Sequence, residues 1–132
     1  HDAARPLTPQ EVSARVIDAV RGGASAVIPV LPVTDTLKTV DASGLVTGTP
    51  RRADMVAVQT PQGFRWDVLT RAHEAGASRS ADEAVAATDD AGLVEAVGGS
   101  VQTVAGDERS LKVTRPLDLA LAQLLAAEEP SA

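Results

Sequence analysis

The run Ala26-Val27-Ile28-Pro29-Val30-Leu31-Pro32-Val33 is the strongest single constraint on how this chain folds, because no charged or hydrogen-bonding side chain interrupts it. A strand with one face in water alternates apolar and polar residues, whereas an unbroken apolar strand is buried on both faces, as in a parallel sheet covered by helices. A membrane span needs about 20 apolar residues, so the run reads as a core strand. Its prolines lack a backbone donor, which makes the strand irregular or places it near an edge.

The flanking segments supply helices to cover such a strand. Thr8-Pro9-Gln10-Glu11 has capping-box spacing, with Thr8 as N-cap, Pro9 at the first helical position and Glu11 reaching back. Val12, Val16, Ala19 and Val20 recur on one face of that helix, and Gly22-Gly23 ends it. Thr60-Pro61-Gln62-Gly63-Phe64 reads as a turn into a helix over 65–75, with Trp66, Leu69 and Ala72 facing inward, Trp66 in the core and Gly76 closing it. Ser80-Ala81-Asp82-Glu83 repeats the capping spacing for a short helix to Ala87. Thr88-Asp89-Asp90 caps another, with Leu93, Val94 and Val97 inward and Gly98-Gly99 at its end; acids in a first turn ordinarily do no more than complement the helix dipole.

Val101 to Ala105 reads as a short strand, Leu111-Lys112-Val113 as an extended piece, and Thr114-Arg115-Pro116 as the start of the last helix. Leu117, Ala120, Leu121, Leu124 and Leu125 give that helix an apolar stripe, and the tail from Glu128 to Ala132 is expected to fray. Strands alternating with helices, without internal repeat, give an α/β chain. The stretch 34–59 differs in texture: Asp35-Thr36-Leu37-Lys38, a Ser43-Gly44 turn, the basic pair Arg51-Arg52 and Met55-Val56-Ala57-Val58 read as hairpins. Hairpins of this kind bury little alone, so they pack on their own domain or reach another subunit.

The opening residues His1-Asp2-Ala3-Ala4-Arg5-Pro6 place an acid and a base among small residues just before a helix. Asp2 suits Mg²⁺ or a sugar hydroxyl, Ala3 and Ala4 leave room for a ligand, and Arg5 can orient Asp2 or answer a phosphate. A loop salt bridge would use the same residues. A chain seldom opens on a site motif without a lead-in strand, so residues 1–132 are expected to be the C-terminal part of a single longer domain.

A net charge of −6, one Phe, one Trp and no Tyr remove the basic surface and stacking platform of a nucleic-acid binder. The sequence offers no apolar run long enough to span a membrane. With no cysteine, disulfides and thiolate metal sites are excluded, and a cytoplasmic location fits best. Lys38 and Lys112 are the two lysines among twelve basic residues, which singles them out.

Taken in order, His1-Asp2-Ala3-Ala4-Arg5-Pro6, Asp35-Thr36-Leu37-Lys38, Gln59-Thr60-Pro61-Gln62-Gly63-Phe64, Thr88-Asp89-Asp90 and Lys112-Val113-Thr114-Arg115-Pro116-Leu117-Asp118 closely resemble the C-terminal part of the 2-C-methyl-D-erythritol 4-phosphate cytidylyltransferase family. The resemblance implies a Rossmann-like α/β nucleotidyltransferase domain with a protruding β-arm, here 34–59, that clasps a second subunit in a homodimer. It implies transfer of a cytidylyl group from CTP to methylerythritol phosphate with Mg²⁺, releasing pyrophosphate, in non-mevalonate isoprenoid synthesis. The family's glycine-rich CTP loop has no counterpart in residues 1–132.

By the same resemblance, Asp2 matches the acid near the ribose and metal, and Ala3 adjoins the nucleotide. Lys112 matches the lysine that positions the incoming phosphate, and Thr88 a further phosphate contact. Arg52 matches an arm arginine that reaches the partner's substrate site, and Asp35 and Thr36 sit where the arm touches the substrate's hydroxyls. Ser110 departs from the family's usual Asn two residues before the lysine. Two other readings remain: a cytidylyltransferase for another sugar-alcohol phosphate such as ribitol 5-phosphate, and a non-catalytic dimerisation and substrate-binding fragment. No general base is needed, since a phosphate dianion is already nucleophilic near neutral pH. His1 and His73 accordingly lack triad partners, and His73 reads as a surface residue.

Overall fold

The computed structural model describes residues 1–77 and 89–127. The helix expected from Ser80 to Ala87, Thr88 and the tail from Glu128 lie outside the described residues. Helix α1 (Gln10–Arg21) is followed by strand β1 (Ala26–Pro32), the hairpin β2 (Thr39–Val40) and β3 (Val46–Gly48), and then β4 (Val56–Val58) and β5 (Gly63–Phe64). Helices α2 (Trp66–Ala77) and α3 (Asp90–Ala96), strand β6 (Val101–Ala105) and helix α4 (Pro116–Ala127) complete the order.

Strand β1 is the axis of a mixed sheet. It runs parallel to β6, from Ala26 opposite Val101 to Val30 opposite Ala105. It is antiparallel to β4 through Val30 and Val58, and to β5 through Ala26 and Phe64. Because Ala26, Val27 and Val30 each pair on two sides, β4 and β5 must share the edge opposite β6. The sheet is thus mixed, parallel only at β1–β6, and of the two readings of the prolines, an irregular strand or one near an edge, the edge is excluded because β1 pairs on both sides. Pro29 is fully buried, and its carbonyl accepts the Gln59 N–H at 2.8 Å. The N–H and C=O of a strand residue point to one edge, so the missing donor of Pro29 faces Gln59, just past the end of β4.

Each face of β1 has its own cover. Ala26 packs with Val68 and Ala72 of α2 and Val94 of α3, and Phe64, Leu93 and Val101 close around them. On the other face, a Cβ on Gly63 would lie 2.5 Å from a methyl of Val16, so α1 rests on the sheet where β5 carries no side chain. Val12 and Val16 are buried as the periodicity predicts. The capping box is not formed: α1 starts after Pro9 with no side-chain cap, and the Thr8 hydroxyl donates to the Arg5 carbonyl instead.

Three inward expectations are corrected. Trp66 is 80% exposed, because Val68 and Ala72, four residues apart, point α2 at the sheet and Trp66 falls on another side of its first turn. Val97 is largely exposed just past the end of α3. In α4 the buried residue is Ala122, while Leu117 and Leu124 of the expected stripe are 74% and 66% exposed. Among the described residues no helix is long and apolar enough to cross a membrane.

Candidate active site

The loop His1–Pro6 is shaped by its own acid. Asp2 Oδ1 accepts the Ala4 N–H at 2.9 Å, and the Asp2 carbonyl accepts the Arg5 N–H, a short-range turn that aspartate favours. The Asp2 N–H donates to Thr60 Oγ1 at 3.0 Å, and His1 Nδ1 faces the same hydroxyl at 3.0 Å. Thr60 thus joins the opening loop to the Thr60–Gln62 turn, which begins with a cis Thr60–Pro61 bond.

Lys112 comes to this loop from the other end of the sequence, its Nζ 3.0 Å from Asp2 Oδ2. Beside it, the Val113 N–H donates to the Ala4 carbonyl at 2.7 Å, so backbone as well as charge fixes the approach. The Ala4 N–H, then Lys112, hold the Asp2 carboxyl below the ordinary aspartate range, and the charge of Arg5 acts in the same direction. Asp2 is therefore an ionised carboxylate at any physiological pH.

Arg5 does not pair with Asp2 through hydrogen bonds. Its guanidinium donates to the carbonyls of Ser110 and Val58, and burial lowers its pKa from the usual value. It is a backbone clamp. Among the described residues, the Oγ of fully buried Ser110 and the Nε of Arg5 have no hydrogen-bond partner.

A cavity of about 430 Å³ opens beside the loop, lined by His1, Asp2, Thr60, Gln62, Phe64, Asp89, Asp90 and Leu93. Asp89 caps α3 by accepting the Gly92 N–H at 2.8 Å. Gln62 ties that cap to the turn, donating to Asp89 Oδ2 at 2.7 Å and accepting the Ala91 N–H. His73 is exposed, as expected, and its Nε2 lies 2.8 Å from Asp90. Among the described residues no group of three or more His, Cys, Asp or Glu side chains is arranged to hold a metal ion. Asp2 can contribute one carboxylate ligand, which suffices where substrate phosphates supply the rest.

The expected site residues fall into two groups. Asp2, exposed Ala3 and Lys112 are together in the loop cluster. Asp35, Thr36 and Arg52 are exposed on the arm, where Arg52 Nη1 donates to the Thr34 carbonyl at 2.9 Å and so holds the chain just before Asp35. Among the described residues, no hydrogen bond or ion pair joins these three to Asp2 or Lys112. Thr88 lies outside the described residues. A second cavity, about 680 Å³, lies at the arm's root between Val30, Pro32 and Val33 and the Arg51–Val56 segment.

Sequence reasoning missed Thr60 as the hub of the loop and Gln59 and Gln62 as its ties. The signal was the polar run Gln59-Thr60-Pro61-Gln62 between two apolar segments, where surface turns would more often carry Gly, Asn or Asp.

Residues 1–128 match the family of IspD, 2-C-methyl-D-erythritol 4-phosphate cytidylyltransferase. The chain is 54% identical over 128 residues to the enzyme of that name from Rhodococcus jostii, covering 97% of this chain and 54% of the relative. It is 55% identical over 125 residues to that from Nocardia farcinica, covering 95% and 51%. It thus spans about half the length of the curated relatives it matches. Among solved structures, the 2-C-methyl-D-erythritol 4-phosphate cytidylyltransferase of Thermus thermophilus superposes with a TM-score of 0.80 at 42% identity, covering 96% of this chain and 60% of that one. The 4-diphosphocytidyl-2C-methyl-D-erythritol synthase of Anaerococcus prevotii gives 0.83 at 30%, covering 97% and 57%. The fold is thus that of a nucleotidyltransferase, and the chain belongs to the 2-C-methyl-D-erythritol 4-phosphate cytidylyltransferase family.

Proposed function

We propose that this chain carries the alcohol-phosphate side of an active site that transfers a cytidylyl group from CTP to 2-C-methyl-D-erythritol 4-phosphate. The observation that carries the reading is the Asp2–Lys112 pair, an ionised acid and a lysine held 3.0 Å apart beside the cavity in a chain of this family. In the reaction a phosphate oxygen of the alcohol phosphate attacks the α-phosphorus of CTP. A new P–O bond forms, the bond from that phosphorus to the bridging oxygen breaks, and its electron pair leaves on pyrophosphate.

Two anions must meet, so fixed cations lower the barrier more than a proton acceptor would. Lys112 orients and partly neutralises the attacking phosphate, and Asp2, 3.0 Å away, keeps the ammonium at one place. Ala3, small and exposed, leaves the loop backbone open to the nucleotide. Mg²⁺ fits the chemistry of Asp2 as a single carboxylate ligand, and when bound it offsets triphosphate and pyrophosphate charge. Triphosphate contacts come from the glycine-rich loop of the family, outside residues 1–132.

The arm completes the site from a second subunit. Its exposed Val40, Leu45 and Val46 form an apolar surface suited to a partner, and Arg52, Asp35 and Thr36 travel with it. A full-length polypeptide supplied with CTP and methylerythritol phosphate should release pyrophosphate and form the cytidine diphosphate alcohol, detectable by phosphorus NMR. Lys112→Ala should lower kcat/KM by on the order of 10²-fold, the scale of a misplaced reactant. Equal turnover by Lys112→Ala would overturn the assignment.

A further inference from the structure

The segment that carries Lys112 is held by Arg5 at the Ser110 carbonyl, by Arg15 at the carbonyls of Ala105 and Gly106 and by the Val113 N–H at Ala4, and one buried amide, that of Gln59, enters its turn. Gln59 is only 4% exposed and follows β4, the strand by which the arm rejoins the sheet. Its Nε2 donates to the Asp107 carbonyl at 2.9 Å, and its Oε1 accepts the Asp107 N–H at 3.0 Å. The side-chain amide therefore reads both backbone groups of one residue, as a neighbouring strand would. A second, longer contact runs from Nε2 to the Ser110 carbonyl at 3.5 Å, the oxygen that Arg5 also clamps. A Cβ on Gly106 would fall 2.3 Å from Gln59 Oε1, so the turn is built to let the amide in. Two residues past Ser110 stands Lys112, against Asp2.

We propose that Gln59 is a positioning residue for Lys112: its amide templates the Gly106–Ser110 turn and thereby sets where the ammonium meets the substrate phosphate. The inference rests on the reading of Lys112 as the phosphate-positioning lysine. It acts through geometry alone, since Gln59 carries no charge and does not line the cavity beside Asp2. It also links the two halves of the site, because the same residue anchors β4 to β1 through its backbone and the turn through its side chain.

The test is Gln59→Glu in the full-length enzyme, alone and combined with Lys112→Ala. As a neutral acid the new side chain donates to the Asp107 carbonyl and accepts its N–H; as a carboxylate it meets that carbonyl and the one at Ser110 without a proton. Burial raises its pKa, so the ratio of variant to native kcat/KM should rise as pH is lowered from 8.5 to 6.5. The loss at high pH should be on the order of 10- to 10²-fold. In the Lys112→Ala background the same substitution should cost little and show no pH dependence, since effects acting through one group are not additive.

Equal losses with and without Lys112, or a flat ratio equal to that of native enzyme, would overturn the proposal. Native activity in Lys112→Ala alone would instead sink the reading of the lysine itself. If Gln59→Glu does not fold, Gly106→Ala pushes the same turn from a half-buried position, and the cycle with Lys112→Ala decides in the same way.

Discussion

Asp2 Oδ2 and Lys112 Nζ lie 3.0 Å apart, one on the opening loop and the other on the turn before the last helix. The two side chains are 33% and 51% exposed, and half-exposed pairs contribute little to stability. What the pair supplies is a fixed position for the Lys112 ammonium, next to the Asp2 that lines the cavity.

Acid should weaken the fold through this loop. The Asp2 pKa is lowered below the ordinary value of 3.8, first by the Ala4 N–H and then by Lys112. Its stabilising contribution is thus fully present above that value and lost as pH falls through the lowered one. Asp118, capped by the Thr114 and Arg115 N–H groups, and Asp41 in the arm turn add to the same acid-side loss. Thermal melts below pH 4 should show Tm falling with pH more gently for Asp2→Asn than for native protein; parallel slopes would rule out the contribution of Asp2.

Gly63→Ala should destabilise the sheet by about 1–3 kcal/mol, the usual cost of overpacking, since its Cβ would stand 2.5 Å from Val16. Urea unfolding should show the loss, and adding Val16→Ala should recover part of it. A neutral Gly63→Ala would mean that α1 does not rest on β5.

The hairpin of β2 and β3 forms a sheet of its own and leaves Val40, Leu45 and Val46 exposed. Removing residues 40–51 should therefore turn a dimer into monomers by light scattering, with secondary structure otherwise retained. A stable dimer lacking the hairpin would exclude the arm as the clasp.

What the sequence disclosed was local. Val12 and Val16, the glycines after α1, and the α/β alternation all follow from periodicity and turn chemistry, and the order of motifs carried the family. Long-range events were hidden. Nothing in Pro29 itself says that its missing donor would face Gln59, just past the end of β4, so an edge position stayed open for what is a central strand. Trp66 was assigned to the core on residue type, while its position in the first turn of α2 decides its exposure. The stripe of α4 is present in sequence but exposed among the described residues. In the site, Asp2 and Lys112 were legible as charged residues in motifs, whereas the side-chain roles of Gln59, Thr60 and Gln62 depend on backbone brought close by folding.

The most direct measurement of the account mixes two damaged enzymes. If Lys112 of one subunit and Arg52 of the other hold the same substrate phosphate, a full-length Lys112→Ala homodimer and an Arg52→Ala homodimer are each impaired. A heterodimer of the two has one intact site and one doubly damaged site. After subunit exchange, random pairing in a two-fold dimer leaves roughly a quarter of all sites intact, and kcat/KM for methylerythritol phosphate should recover to about that share of native. No recovery despite confirmed exchange, or an Arg52→Ala homodimer with native kcat/KM, would contradict the shared site.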